Sequence, residues 1–257
     1  MTESKVSRPI GELPHEPHYE VRIASQSYSN IATVLAGFAF AAVVLVVQTN
    51  LPTSPNADLF RDWATIYFLL AFVGCVISAL TFATVTGEEI LTPRSHTMAL
   101  LGGIGFSISA NLVILGLATL IKIFLTLRIC AFVQLVFPLI MSLSPLFVAF
   151  SAFDPIIGFE AKSITKKDVA QVFVPSFAPL LIIVPIRYLG VSFSIALSET
   201  LFSAILSIAF VLIVLSAGSA LVVSSFADLR FRLNLLVSGV CVGIHSFVIG
   251  LFILMLQ

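Results

Sequence analysis

The stretch LFSAILSIAFVLIVLSAGSALVVSSF, residues 201–226, contains no charged side chain and decides the class of fold. A helix that rises 1.5 Å per residue needs about 20 apolar residues to cross a hydrocarbon layer of about 30 Å. The apolar residues here are continuous rather than alternating, which is typical of a membrane helix and not of a barrel strand. Residues 201–226 therefore predict a transmembrane helix.

Six further stretches have the same character. Together the seven predicted spans cover about 29–47, 63–85, 97–121, 129–150, 169–188, 201–226 and 235–256. The connections between them are short and carry most of the charges, so none of them predicts a soluble domain. We expect an all-α polytopic integral membrane protein, a bundle of about seven transmembrane helices over 28–257, preceded by a polar, flexible tail over 1–27.

Composition supports the membrane class. The chain is 59% hydrophobic and 10% charged, with a mean hydropathy of +1.12, whereas a soluble domain carries about 25% charged residues. The net charge is zero, so we expect no nucleic-acid partner. The three cysteines lie in apolar runs without CxxC spacing and predict no metal or redox site. The polar start of the chain does not resemble a signal peptide.

Lysine and arginine predict the orientation, because cytoplasmic loops are enriched in both. The amino-terminal side carries nine of them and the opposite side four; the four are Arg61, Lys122, Arg128 and Arg187. We therefore expect a plasma membrane protein with a cytoplasmic amino terminus and an outer carboxyl terminus.

The connection SAFDPIIGFEAKSITKKD, residues 151–168, favours contact with the membrane surface. Lys162, Lys166 and Lys167 would face anionic lipid heads, each contributing about 1 kcal/mol. An ordinary cytoplasmic loop explains the same residues. Thr165 and Asp168 match a capping box that would start the fifth span.

The centres of the spans exclude several classes of membrane protein. None of them contains Lys, Arg, Asp or Glu. A retinal protein needs a buried lysine, a carboxylate-based proton pump needs an intramembrane acid, and a voltage sensor needs an arginine ladder. A receptor coupled to G proteins has the opposite orientation. No cofactor is predicted.

The polar groups that remain are hydroxyls, amides and one histidine. Ser107 and Asn111 share a face of the third span, and small-residue stripes in the first, third and seventh spans predict close helix packing. Asn111 is expected to bond a neighbouring helix or to contact a ligand. His245 is the one interior group that could titrate near neutral pH. It is expected to be a hydrogen-bonded structural residue or to take part in permeation.

Two glutamine–proline pairs, QLVFP at 134–138 and QVFVP at 171–175, predict irregular helices. Pro138 leaves the carbonyl of Gln134 without its helical partner, and Pro175 does the same to Gln171. Opened backbone inside a membrane persists only where protein covers it or where it lines a wet cavity. Because three more prolines follow in these two spans, we expect kinked or interrupted helices, with the glutamine amides available to bond the opened backbone.

Three short patterns raise enzymatic alternatives. GFSI, residues 105–108, resembles the GxSx pattern of rhomboid intramembrane proteases, which implies a Ser107–His245 dyad. EEILTPR, residues 88–94, resembles the EExxxR motif of the CAAX-protease-like membrane family but is one residue too long. Glu88 and Glu89 are therefore expected in a solvated loop. HEPHYE, residues 15–20, could hold a metal, but Pro17 interrupts it.

The sequence thus favours a small channel- or transporter-like protein, alone or as a homo-oligomer. Its pathway would lie between the third, fourth, fifth and seventh spans, and its candidate residues are Asn111, Gln134, Pro138, Gln171, Pro175 and His245. A non-transporting scaffold that binds partner helices is the main alternative, and an intramembrane hydrolase is the second.

Overall fold

The described part of the chain folds into seven α-helices. The computed structural model describes residues 20–49, 57–88, 92–125, 127–153, 164–188, 199–231 and 233–256, and the elements in these ranges are all α-helices. They are α1 (Val21–Gln48), α2 (Ala57–Thr86), α3 (Pro93–Phe124), α4 (Leu127–Ser151), α5 (Lys166–Tyr188), α6 (Glu199–Phe226) and α7 (Leu235–Met255). Each is long and apolar enough to cross a membrane. The predicted class, an all-α membrane bundle, is confirmed.

Most helices extend beyond the predicted spans. α1 begins at Val21, inside the stretch expected to be a flexible tail, and α3 is 32 residues long. At 1.5 Å per residue, such a helix measures about 48 Å, more than the hydrocarbon thickness of about 30 Å. The additional turns carry polar residues, so hydropathy does not detect them. Residues 1–19, which include most of HEPHYE, lie outside the described part of the chain.

Side-chain caps fix where α5 and α3 begin. The Thr165 backbone N–H and hydroxyl both donate to the Asp168 carboxylate, at 2.9 and 2.7 Å, and the Asp168 N–H donates back to the Thr165 hydroxyl at 3.3 Å. The predicted capping box of α5 is therefore confirmed. At α3 the Thr92 hydroxyl accepts from the Ser95 N–H, and Pro93 occupies the first turn, where its missing donor costs little.

The helices pack as two sets that meet beside α3. In the first set α2 packs extensively against α1 and α3, and α6 covers another side of α3. In the second set α5 packs extensively against α7. α4 lies against α3 and α7 and so contacts both sets. The centre of the bundle is apolar, with fully buried side chains such as Phe68, Ile108, Leu112, Ile249 and Phe252.

Arg94 joins two connections at the end of the bundle where α3 begins. Its Nη2 donates to both carboxylate oxygens of Glu88, at 2.8 and 2.7 Å, and its Nη1 donates to the Ala227 carbonyl at 3.0 Å. The side chains of Arg94 and Glu88 are only 16% and 10% exposed. The prediction of a solvated loop is wrong for Glu88, because Nη2 of Arg94 pairs with both oxygens of its half-buried carboxylate. Glu89 lies outside the described residues.

A contact between aromatic rings joins α2 to α6 at the opposite end. The Trp63 ring lies 4.9 Å from the ring of Phe202 and 6.3 Å from that of Tyr67. Trp63 is the one tryptophan in the chain. Tryptophan and tyrosine are enriched at the boundary between lipid and water, which is consistent with this position near the beginning of α2.

Candidate functional site: a polar cluster where three helices meet

Ser107 and His245 form a hydrogen bond in the apolar centre of the bundle. The His245 Nε2 lies 2.8 Å from the Ser107 Oγ, which joins α7 to α3. Both residues lie near the middle of their helices. Ser107 is 6% exposed and His245 is 0% exposed. The sequence predicted this pair as the residues of a dyad, and the structure brings them together.

Asn111 extends the same network to α4. Its Nδ2 donates to the Ser107 carbonyl at 2.7 Å and to the Ser144 Oγ at 3.0 Å. Ser144 in turn donates to the carbonyl of Met141 at 2.9 Å. The expectation that Asn111 bonds a neighbouring helix is confirmed. We refer to Ser107, Asn111, Ser144 and His245 as the junction cluster, because they lie where α3, α4 and α7 meet.

The periodicity of α3 explains why the cluster has this composition. Ser107 and Asn111 are four residues apart and therefore lie on one face, towards α4 and α7. Gly105 and Ser109 lie on another face: Ser109 packs against Gly74 of α2, and Gly105 against Ser216 of α6. Among the described residues, Ser109 bonds within its own helix, to the Gly105 carbonyl at 2.8 Å. One face of α3 thus serves close packing, and the other carries polar groups that cross to neighbouring helices.

Two buried atoms of the junction cluster have no hydrogen-bond partner among the described residues. They are the Nδ1 of His245 and the Oδ1 of Asn111. The Asn111 oxygen is an acceptor. His245 Nδ1 is a donor if Ser107 donates to Nε2, and an acceptor if Nε2–H donates to Ser107. An unpaired polar atom in an apolar interior costs about 1–3 kcal/mol, so both atoms favour a bound water or solute.

The other predicted pathway residues lie elsewhere. Gln134 lines a small cavity nearer the other end of α3, together with Lys122, Cys130 and Leu256. At that end Lys122 donates to the Leu256 carbonyl at 3.2 Å, and Arg187 donates to the same oxygen at 3.5 Å. Pro138 is buried on α4. The sequence analysis missed Ser144, since a single serine in an apolar run carries no signal of its partner.

The glutamine–proline pairs do not interrupt their helices, contrary to that part of the prediction. α4 continues through Pro138, and α5 continues through Pro175. Two of the carbonyls that lose their helical partners in α5 are those of Gln171 and Pro175, because Pro175 and Pro179 have no N–H. The Gln171 carbonyl lies against Gly239 of α7, and a Cβ added to Gly243 would lie 2.9 Å from the Pro175 oxygen. Bare glycine backbone, rather than a glutamine amide, therefore covers both carbonyls.

Comparison of the chain with known protein families, with curated proteins and with solved structures finds no match. The function is therefore argued from the junction cluster.

Proposed function

We propose that this multi-pass membrane protein is channel- or transporter-like and that its pathway passes the junction cluster. The observation that carries the proposal is the pair of buried, unpartnered atoms, His245 Nδ1 and Asn111 Oδ1. In a bundle that only needs to pack, apolar side chains would avoid this cost. In a pathway, the same two atoms bind the solute as it passes the middle of the membrane.

The helices around the cluster are suited to movement. α4 contains two prolines and α5 contains three, so both ladders of backbone hydrogen bonds have gaps. Transporters use such irregular helices beside their binding sites. The contacts of the cluster also cross between helices, Ser107 to His245 and Asn111 to Ser144, so a modest separation of α3 from α4 and α7 opens it.

The test is flux through purified protein in liposomes, measured for ions and small neutral solutes between about pH 5 and pH 8, where a histidine can titrate. We expect flux in the native protein and its loss in His245→Ala and Asn111→Leu. Ser109→Ala is the matched control, because this buried serine of α3, among the described residues, bonds within its own helix. No flux of any solute contradicts the proposal and favours the scaffold alternative.

The Ser107–His245 distance of 2.8 Å favours a second candidate function, an intramembrane serine hydrolase. The Ser107 oxygen would attack an acyl carbonyl while its proton passes to His245 Nε2, and the leaving group would take that proton as the acyl-enzyme forms. A fluorophosphonate probe tests this chemistry, since the Ser107 oxygen would bond phosphorus as fluoride leaves. Labelling that survives in Ser144→Ala and disappears in Ser107→Ala supports the hydrolase. No labelling of the native protein excludes it.

The orientation and the lipid partners are part of the same proposal. The end of the bundle where α1 begins would face the cytoplasm, supported by the excess of lysine and arginine on that side. Lys166 and Lys167 are exposed there and would contact anionic headgroups, whereas Lys162 lies outside the described residues. The test is labelling of Lys166→Cys by an impermeant maleimide, in a chain with its native cysteines replaced by alanine. Labelling of intact cells would contradict the orientation.

A further inference from the structure

We propose that the junction cluster selects a neutral solute that donates hydrogen bonds, such as a small alcohol, an amide or ammonia, over inorganic ions. This inference rests on the proposed function and adds the class of substrate to it.

The three helices that form the cluster carry no charged residue near it to balance an ion. On α3 no charged residue lies between Arg94 and Lys122, on α4 none lies between Arg128 and the end of the helix, and α7 has none. Ser107, Asn111 and Ser144 are uncharged. Because moving an ion into an apolar medium without a partner is far more costly than moving a neutral polar group, this region excludes ions more strongly than neutral solutes.

The cluster also has too few open ligands to replace the hydration shell of an ion. Potassium filters do so with rings of carbonyl oxygens. Here the open positions are one oxygen, Asn111 Oδ1, and one ring nitrogen, His245 Nδ1. The hydroxyls of Ser107 and Ser144 are already bonded. The proline-freed carbonyls of α5 are no substitute, because Gly239 and Gly243 cover them.

A neutral polar solute needs hydrogen bonds only to the two unpartnered atoms of the cluster, Asn111 Oδ1 and His245 Nδ1. Asn111 Oδ1 accepts a hydrogen bond, so the solute must carry an O–H or N–H group. His245 Nδ1 donates or accepts according to which ring nitrogen holds the proton, so the solute group that meets it is an acceptor in one tautomer and a donor in the other. Alcohols, amides and ammonia meet both requirements, whereas a molecule with acceptors alone does not.

The experiment compares neutral solutes with ions in the same proteoliposomes. Entry of glycerol and urea is followed by light scattering, and entry of sodium, potassium and chloride by ion-sensitive dyes. We expect glycerol or urea to enter faster than in protein-free liposomes, and the ions not to. Loss of one buried hydrogen bond in Asn111→Leu should slow solute entry about tenfold. Ser109→Ala should leave the rate unchanged.

The outcomes separate this inference from the function on which it rests. Ion flux without glycerol or urea flux overturns the neutral-solute inference and leaves a pathway in place. Absence of all flux overturns both. Glycerol or urea flux that is unaffected by Asn111→Leu, in protein that elutes and unfolds like the native chain, places the pathway elsewhere and also overturns the inference.

Discussion

At the scale of single residues, the bond between Ser107 and His245 joins two positions whose separate burial would be unfavourable. The imidazole of His245 is completely buried, and Ser107 is its one partner among the described residues. A buried polar group left alone by the loss of its partner costs more than the bond itself contributes. The two side chains therefore stabilise the fold as a pair.

We expect Ser107→Ala to lower the free energy of unfolding by about 1–3 kcal/mol, because it leaves both nitrogens of His245 unpaired. Adding His245→Phe to this variant should recover part of the loss, since replacing both partners by apolar groups is close to neutral. Chemical unfolding in detergent measures both effects. The single variant His245→Phe completes the comparison. If the loss of unfolding free energy in the double variant equals the sum of the losses in the two single variants, the side chains are not coupled.

The sequence predicted part of this network. Asn111 and Ser107 could be assigned to one face because four residues make about one helical turn. His245 stood out because it is the one histidine inside a predicted span. The distance between Ser107 and His245 could not be predicted, because it depends on how two helices far apart in the chain pack together. Ser144 was missed for the same reason: only its place beside Asn111 makes it significant.

At the scale of helices, the contact between α5 and α7 shows how a proline-rich span is accommodated. Two of the carbonyls that lose their helical partners, those of Gln171 and Pro175, each face a glycine of α7. The two glycines, Gly239 and Gly243, are four residues apart, as the two carbonyls are. The spacing of the glycines along α7 therefore matches the spacing of the carbonyls along α5. Small residues let the backbones approach closely, and close approach keeps lipid away from the opened carbonyls.

Gly239→Ala should destabilise the bundle by about 1–3 kcal/mol, because the added methyl group would overlap the Gln171 carbonyl. Gly218→Ala on α6 is the control: no atom lies within 4 Å of the added carbon, and alanine should be neutral or stabilise that helix by up to about 1 kcal/mol. Thermal unfolding in detergent measures both variants. Equal melting temperatures for the two would contradict the proposed packing.

Hydropathy predicted the existence and number of the spans but not their ends or their irregularities. The two additional turns of α1 before Ser29, with the sequence VRIASQSY, are too polar to appear in an apolar run, although they continue the same helix. The prolines predicted opened carbonyls, and the glycine stripe of α7 predicted a close neighbour. That the stripe covers the carbonyls depends on α5 and α7 lying side by side, which neither segment specifies alone.

At the scale of the whole molecule, the two ends of the bundle are held in different ways. Where α3 begins, Arg94 links the connection after α2 to the connection after α6 through Glu88 and the Ala227 carbonyl. At the other end, the contact of the Trp63 ring with Phe202 joins α2 to α6 without charge. α2 and α6 are therefore linked at the first end through a shielded arginine and at the second end through an apolar contact.

Arg94→Ala should lower the free energy of unfolding by about 3–5 kcal/mol, since it leaves the shielded carboxylate of Glu88 without its partner. Combining Glu88→Gln with Arg94→Ala should lower the free energy of unfolding by less than Arg94→Ala alone, because no uncompensated charge remains. Thermal unfolding of the variants in detergent checks the order. If the losses of unfolding free energy in Arg94→Ala and in Glu88→Gln add up to the loss in the double variant, the two side chains are not coupled.

The position of Trp63 gives the protein a built-in optical reporter. With one tryptophan in the chain, ultraviolet emission excited at the red edge of absorption originates from a single indole, which lies against Phe202. Separation of α2 from α6 at this end would hydrate that indole and move its emission to longer wavelength. The native chain can thus report its own opening by fluorescence, without an attached dye.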